Sequence, residues 1–467
     1  MLGCLPFFNT ALDRGAENDD NRFMLRSNSC TRAPTRRDFL RLCGAASLAV
    51  CPQNRSASAK SADAANGLVV RLREAARTGA AVRLPAGEIA LSTLDLPEGA
   101  TLIGVPGRSV LRLIGPGPLF TANFARKITL ESLILDARDG AVPPERGVID
   151  FADVFDFAIR GCTIRRSNAR GINLSRCGGV FSQNIIEDIR DVGLHTLDGL
   201  GLDIDNNHLR ACGDNGVRVW TSAAGRYDGS RVRNNLVEDI ANLSGGNGPY
   251  GNGVSILGAG SVRVENNRIY RCAYTAVRNN AGHGVVVAAN DCKSCGEKAM
   301  YAEFGARQSV FRDNRIEDAG AGIAVANAEA GTDGASVTGN RICKLRESRP
   351  DKDFGPEMLW LTGILGEKNC EISGNTIEGP AWIGIALGGF RDNLRADGNT
   401  IAGADYGVVF AAGAGVGEAV IARNKISGAR KAAIAATAGM SFLPGDVAAP
   451  GAAAKYPRLT VRDNVVS

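Results

Sequence analysis

The sequence predicts an all-β fold, a right-handed single-stranded parallel β-helix (a solenoid) with a short N-terminal capping helix, and three observations point to it. The first is a repeat. Ser309 to Asn327, SVFRDNRIEDAGAGIAVAN, contains an apolar residue (Phe311), Asn314 three later, Ile316, Ala319, Gly322 and an apolar pair two apart, Ile323 and Val325. Matching skeletons centre on Asn184, Asn207, Asn235, Asn267, Asn290, Asn340, Asn375, Asn399, Asn424 and Asn464, with Cys162 in the asparagine's place one coil earlier. Steps run mostly from about 22 to 28 residues, the range in which each unit buries its apolar face only by stacking on the next. The second observation is what surrounds each centre. Three residues before stand Ile159, Phe181, Ile204, Val232, Val264, Val287, Phe311, Val337, Ile372, Ala396, Ile421 and Val461; two after stand Ile164, Ile186, Leu209, Val237, Ile269, Cys292, Ile316, Ile342, Ile377, Ile401, Ile426 and Val466. All are apolar, and alternation in twos punctuated by Asn and Gly describes short strands joined by turns. The third is the asparagine itself: a short amide stacked on the amide of the next coil satisfies donors and acceptors inside a dry turn. The recurrent asparagines are therefore expected to be structural.

Taken in order, the chain divides into residues 1–59, a signal region; 60–79, a linker and capping helix; and 80–467, the repeat domain. A solenoid core lengthens without thickening, so one domain accounts for the length. Thr35 to Val50, TRRDFLRLCGAASLAV, carries Arg36 and Arg37 ahead of a modest apolar run, the pattern of a twin-arginine export signal, with Ala57-Ser58-Ala59 as a cleavage site. The run is too short for a permanent membrane helix. Met24 is an alternative start, and a lipid anchor at Cys51 is disfavoured by Val50 before it. Asn66 to Thr78 has the pattern of an amphipathic helix covering the first coil, whose strand edges would otherwise be open. Ala80 to Leu113 gives short strands broken at Pro85-Ala86-Gly87, Pro97-Glu98-Gly99 and Pro106-Gly107. Insertions at Thr221–Ser230, Asn242–Asn252, Asn327–Ala335 and Arg346–Glu357 are expected to wall one side of the solenoid.

Without residues 1–59 the chain holds 46 basic and 44 acidic residues, about +2, which does not recommend a nucleic-acid partner. Eight cysteines remain: Cys162, Cys177, Cys212, Cys272, Cys292, Cys295, Cys343 and Cys370. Cys212, Cys272 and Cys295 occupy positions filled elsewhere by Ile189, Ile240 and Ala319, so they are expected to point inward; Cys272 and Cys295 fall on adjacent coils and could be bridged or free. Cys292-Lys293-Ser294-Cys295 lacks the helix of a redox motif. Asp198, Asp203 and Asp205 lack the glycine-rich period of calcium-binding rolls.

Function is sought on the outward residues of the strand after each glycine. Successive coils offer Asn173 and Ser175, His195 and Leu197, Arg218 and Trp220, Ser255 and Leu257, Arg278 and Asn280, Tyr301 and Glu303; then Ala324, Leu365, Ala386 and Val409. Polar chemistry is confined to the earlier half. From His195 to Tyr301 is four coil steps, roughly 19 Å, the length of about four sugar rings. Trp220 supplies a flat surface for a pyranose, Arg218 and Arg278 can each pair with a carboxylate, and His195, Tyr301 and Glu303 can exchange protons. Those five are the catalytic candidates; Trp220, Asn173, Ser255, Asn280 and the loop residues Tyr227 and Tyr250 are the substrate-binding ones. The bland alternative is a solvated sheet face. If the chain is an enzyme, the pattern suits a polysaccharide lyase or C5-epimerase: Arg218 or Arg278 neutralises a uronate carboxylate, and Tyr301 or His195 removes the C5 proton. A non-catalytic glycan-binding or structural envelope protein would use the same groove, and the fold cannot choose between the two. No metal or cofactor is indicated.

Arg36-Arg37 followed by repeats centred on Asn resembles the bacterial family of twin-arginine-translocated repeat proteins, whose repeats are similar to those of alginate C5-epimerases and other carbohydrate-active β-helix proteins; the opening coils resemble those of pectate-lyase-like proteins. The resemblance covers the signal and roughly residues 80–467. It implies contact with the twin-arginine translocase and export of a folded protein to the periplasm or beyond, leaves a cofactor open, and carries no activity. Gly282-His283-Gly284 matches one polygalacturonase element, but that family's Asn-Thr-Asp and paired aspartates are missing, as is the epimerases' Asp-Pro-His-Glu; His283 reads as a turn residue.

Overall fold

Left-handed corners, not glycine alone, make this chain coil. The residue before each ladder asparagine sits at positive φ: Gln183 (58°), Asn206 (55°), Asn234 (56°), Asn266 (57°), Asp313 (57°) and Gly374 (63°) among them. A second such corner falls four residues after the asparagine, as at Asp188 (55°) and Asp239 (56°). Asn and Asp tolerate this conformation best among residues with a Cβ, which is why they recur there. The computed structural model describes residues 66–246, 248–348, 361–413, 417–439 and 441–467. Arg36 and Arg37, Cys51 and the Ala57-Ser58-Ala59 site lie outside the described residues, as does much of the Arg346–Glu357 insertion.

The fold is an all-β parallel solenoid of about 14 turns. A typical coil has three strands, Ile185–Ile189, Val192–Leu197 and Asp203–Asp205, and each pairs in parallel with its counterpart one coil on. Register follows the repeat: Ile186 faces Leu209, Leu194 faces Val217, and Ile204 faces Val232. One continuous apolar core runs down the axis, and every residue three before a centre is buried except Val461, which packs at its margin. The position two after each centre is buried as well, with one correction: Val466 is 49% exposed, because its strand pairs only with Lys425–Ser427 among the described residues. At the other end a helix over residues 66–78 places Leu68 and Leu72 in the core.

The asparagines form the expected ladder. Asn267 donates from Nδ2 to Asn290 Oδ1 (2.9 Å) and to the Val232 carbonyl (2.8 Å), while its Oδ1 accepts from the Asn235 amide (3.0 Å) and backbone N–H (2.9 Å). The same set recurs from Asn184 to Asn464, and Cys162 N–H closes the series on Asn184 Oδ1 at 2.8 Å. All eight cysteines of the described residues are buried and free, and burial pushes the Cys162 thiol up to about 12. The Cys272–Cys295 alternative thus resolves to thiols. Asp203 and Asp205 stay on the outer surface, in contact with Arg233. Among the described residues no helix is long and apolar enough to cross a membrane.

The insertions at Thr221–Ser230 and Asn242–Asn252 do not wall one side. Thr221–Ser230 leaves the downstream end of the strand Asn215–Trp220, whereas Asn242–Gly251 precedes the upstream end of Asn252–Leu257. They stand at opposite edges of the same sheet.

Candidate functional site

Side-by-side pairing puts the expected outward row in line. Asp150, Asn173, His195, Arg218, Ser255, Arg278, Tyr301, Ala324, Leu365, Ala386 and Val409 are consecutive register partners. Glycine is the second residue of these strands because the next coil passes close by: a Cβ on Gly193 would come within 2.7 Å of the Gly216 carbonyl, and one on Gly216 within 2.6 Å of the Gly253 carbonyl.

The row is neither the open groove of about four sugars nor the solvated face. His195, Arg218, Ser255, Arg278 and Tyr301 are 5, 3, 5, 7 and 9% exposed. Arg218 and Arg278 meet the insertion that follows Asn242, through Tyr250 and Gly248, and it is tied down by Ser244 on Asp214 (2.9 and 2.6 Å), Asn215 Nδ2 on the Pro249 carbonyl (3.0 Å) and Asn252 Nδ2 on the Gly248 carbonyl (3.0 Å). Outward Ala324, Leu365, Ala386 and Val409 are buried too, in a second apolar cluster with Ile383, Trp382 and Tyr406.

Within the row the candidates fall into two groups. In the first, Arg278 donates to Glu303 Oε1 (2.5 Å) and Glu297 Oε2 (3.2 Å), and Lys298 Nζ reaches Glu297 Oε1 at 3.2 Å. Burial opposes the Arg278 charge, but Glu303 and Glu297 outweigh it and hold the guanidinium above its ordinary range. Burial pushes the Glu303 carboxyl up against the pull of Arg278. Burial and the Glu303 charge push the Tyr301 phenol well above its usual value, and its hydroxyl donates to Asn327 Oδ1 at 3.2 Å. Every charge in this group has a partner.

The second group is not closed. Arg218 lies between the rings of Trp220 (4.7 Å) and Tyr250 (5.1 Å), and its nearest carboxylate is Asp191 at 3.7 Å from Nη1. Its Nε and Nη2 are buried without a hydrogen-bond partner. That edge of the guanidinium is the one other arginines of this chain give to carboxylates: Arg176 holds Asp153 through Nε and Nη2 at 2.7 Å each, and Arg233 holds Asp203 at 3.0 and 2.8 Å. Burial pulls Arg218 down to about 10, so it stays charged at neutral pH. Beside it, His195 stands edge-on to Trp220 at 5.6 Å with Nδ1 buried and unpartnered. Burial, with Arg170 and Arg218 nearby, holds its imidazole well below its ordinary value and neutral at pH 7. A cavity of about 330 Å³ opens at this upstream edge, lined by Arg170, Arg190, Asp191, Asp214, Arg218, Leu243 and Tyr250 among others; His195 sits behind Arg218 rather than on the wall.

Of the remaining candidates, Asn173 is engaged on both sides, by Asp150 Oδ2 (3.2 Å) and Arg170 Nη1 (2.9 Å). Ser255 Oγ accepts from Trp220 Nε1 at 3.2 Å. Asn280 lies at the downstream end of the row, between Leu257 and Glu303. Tyr227 is 71% exposed on the downstream insertion, at the opposite edge from the Arg218 cavity. Among the described residues no three His, Cys, Asp or Glu side chains are grouped to hold a metal ion.

The right handed beta helix region family matches residues 147–248 and 227–347, the coils that carry the polar row. Similar solved structures include the A-module of mannuronan C-5 epimerase AlgE6 of Azotobacter vinelandii, 18% identical over 84% of this chain and 93% of that one with a TM-score of 0.47. Also similar are an N-terminal fragment of gene product 12 of bacteriophage Phi29 (15%, 85% and 69%, 0.45) and PfbA, a surface adhesin of Streptococcus pneumoniae (11%, 81% and 90%, 0.41). At these identities the likeness is one of fold. No curated protein matches the chain in sequence.

Sequence reasoning missed Asp150, Asp191, Asp214, Glu297 and Lys298. A signal existed for three of them: Asp191, Asp214 and Glu297 each stand seven residues after a ladder asparagine, at Asn184, Asn207 and Asn290. That position is the corner leading into the polar strand, where a carboxylate can reach an outward arginine.

Proposed function

We propose that the chain is a carbohydrate-active β-helix protein that takes an acidic sugar at Arg218 and, as a polysaccharide lyase or C5-epimerase, removes the proton next to the sugar's carboxylate. The observation that carries this is Arg218, a lining residue of the cavity whose buried Nε and Nη2 have no hydrogen-bond partner. A buried guanidinium with an empty bidentate edge matches a carboxylate in shape and charge. Pairing would acidify the C5 proton and hold the enolate that its removal leaves. Neutral His195, with an unpartnered Nδ1, has the charge state to accept that proton, and its cover behind Arg218 must open for it to do so. Tyr250, across the guanidinium on the loop, is suited to deliver one, either to C5 from the other face or to the departing C4 oxygen. Arg278, Tyr301 and Glu303 then support the row rather than react.

A panel of uronate polymers tests the reading: expected is either new ultraviolet absorbance from an unsaturated product or a changed epimer ratio by NMR. Arg218→Lys keeps the charge but loses the planar edge, and should lower kcat/KM at least about a hundredfold. The enclosure of His195 favours a second reading, a glycan-binding protein without turnover. Saturable uronate binding that is lost in Arg218→Ala, with no product from any polymer, would select it. Export through the twin-arginine pathway, as in the family of twin-arginine-translocated repeat proteins, belongs to the same proposal and rests on Arg36 and Arg37; their double replacement by Lys should retain a fused reporter in the cytoplasm.

A further inference from the structure

The downstream edge of the polar sheet carries a cavity that the Arg218 chemistry does not use. It encloses about 480 Å³ and is lined by His283, Arg307, Gln308, Asp333, Gly334 and Asn369. His283, Arg307 and Asp333 are register partners on three successive coils, so they form a row stepping about 4.8 Å at a time along the solenoid axis. Gln308 (φ 52°) and Asn369 (φ 44°) occupy left-handed corners. Asp333 is held in place, its Oδ1 accepting from Asn369 Nδ2 at 2.6 Å and its Oδ2 lying 3.5 Å from Lys368 Nζ. Arg307 and Gln308 are exposed, with side chains committed to no partner among the described residues.

The lining restricts what could bind. Asp333 faces an incoming anion with like charge, and Arg307 and Lys368 do the same to a cation. No apolar side chain lines the space, so a greasy ligand would leave the polar groups there without partners. What remains is a neutral ligand rich in hydroxyls, each of which needs a donor and an acceptor; carboxylate, amide, guanidinium and imidazole supply both. The volume lies within the roughly 300–1,000 Å³ usual for small-ligand sites. Tyr227, 71% exposed, belongs to the same edge: it pairs with Gly260, and the next residue, Ser261, donates its N–H to the His283 carbonyl at 2.8 Å. Its backbone therefore stands about two coil steps, roughly 10 Å, from that of His283, and its ring lies over Gly229 of the same insertion.

We infer that this edge is a second glycan-binding site, for a neutral chain lying along the solenoid axis, with its hydroxyls on Arg307, Gln308, Asp333 and Asn369 and one ring stacked on Tyr227. The site is separate from the Arg218 cavity and does not depend on its chemistry. Calorimetric titration of the intact protein with cellohexaose, maltohexaose, laminarihexaose and a hexauronate tests it. Expected is binding of at least one neutral hexasaccharide, weakened about tenfold or more in Arg307→Ala and in Tyr227→Ala, and unchanged in Arg218→Ala. Gln308→Ala, at an exposed corner, is the second variant, and each must melt at the wild-type temperature. No binding of any neutral hexasaccharide, binding that survives Arg307→Ala and Gln308→Ala, or a loss confined to the hexauronate would overturn the assignment.

Discussion

Asn267 and Arg218 are both buried polar residues, and they differ in whether their hydrogen bonds are met. Asn267 uses its amide fully, so Asn267→Ala would strand donors and acceptors on Asn235, Val232 and Asn290. An unsatisfied buried group costs about 1–3 kcal/mol. Several at once should lower stability by at least about 3 kcal/mol in chemical denaturation, with Asn267→Asp worse because a carboxylate can donate neither bond. Arg218 lines a cavity and leaves two buried nitrogens unmet, which is what the proposed carboxylate site rests on. The asparagine's role was legible in sequence because it recurs with fixed neighbours. Arg218 was legible as an outward cation, but alternation along a strand says only which face a side chain takes, not whether something covers that face.

Elements set the cover and the spacing. The Gly column permits close stacking at the head of each outer strand, so Gly384→Val, whose branched side chain would start 2.5 Å from the Gly407 carbonyl, should cost about 1–3 kcal/mol and shift the strand Thr376–Asp392. The turn Ala328–Ala330 is tied to the strand Thr362–Lys368 by Glu367, whose Oε2 accepts the Ala328 N–H at 3.0 Å. Burial first, and then the Glu329 charge, push the Glu367 carboxyl up to about 7 against that hydrogen bond. Because the folded value lies above the ordinary 4.5, the folded state binds this proton more tightly. Its stabilising effect is full below about pH 4.5 and is lost as pH rises through about 7, at up to roughly 1.4 kcal/mol per pH unit. Glu367→Gln should flatten that slope in melts between pH 5 and 8 and stabilise the protein above pH 7. Nothing in the sequence singles out Glu367, since its neighbour Ala328 arrives from an insertion of irregular length.

At the scale of the whole molecule, the solenoid turns a local repeat into one axial core, and groups pointing inward are sealed from end to end. Seven of the eight cysteines of the described residues lie in this core and should therefore stay unreactive toward a thiol reagent until the chain is denatured; Cys343 is the exception, an outward residue in register with Glu317 and Glu378, and prompt reaction of any of the other seven in the native protein would contradict this packing. The same geometry leaves cavities at the two edges of one sheet, that of Arg218 upstream and that of His283, Arg307 and Asp333 downstream. Sequence by itself determined the coil, its register, the ladder, the inward placement of Cys212, Cys272 and Cys295 and the order of the outward row, because each follows from residues repeating at a fixed step along one chain. Only the tertiary structure decided that the row is covered, that Arg278 is neutralised by Glu303 and Glu297 while Arg218 is not, and that the two insertions stand at opposite edges. Those facts depend on where segments of differing length come to rest on coils distant in sequence, and no periodicity encodes that.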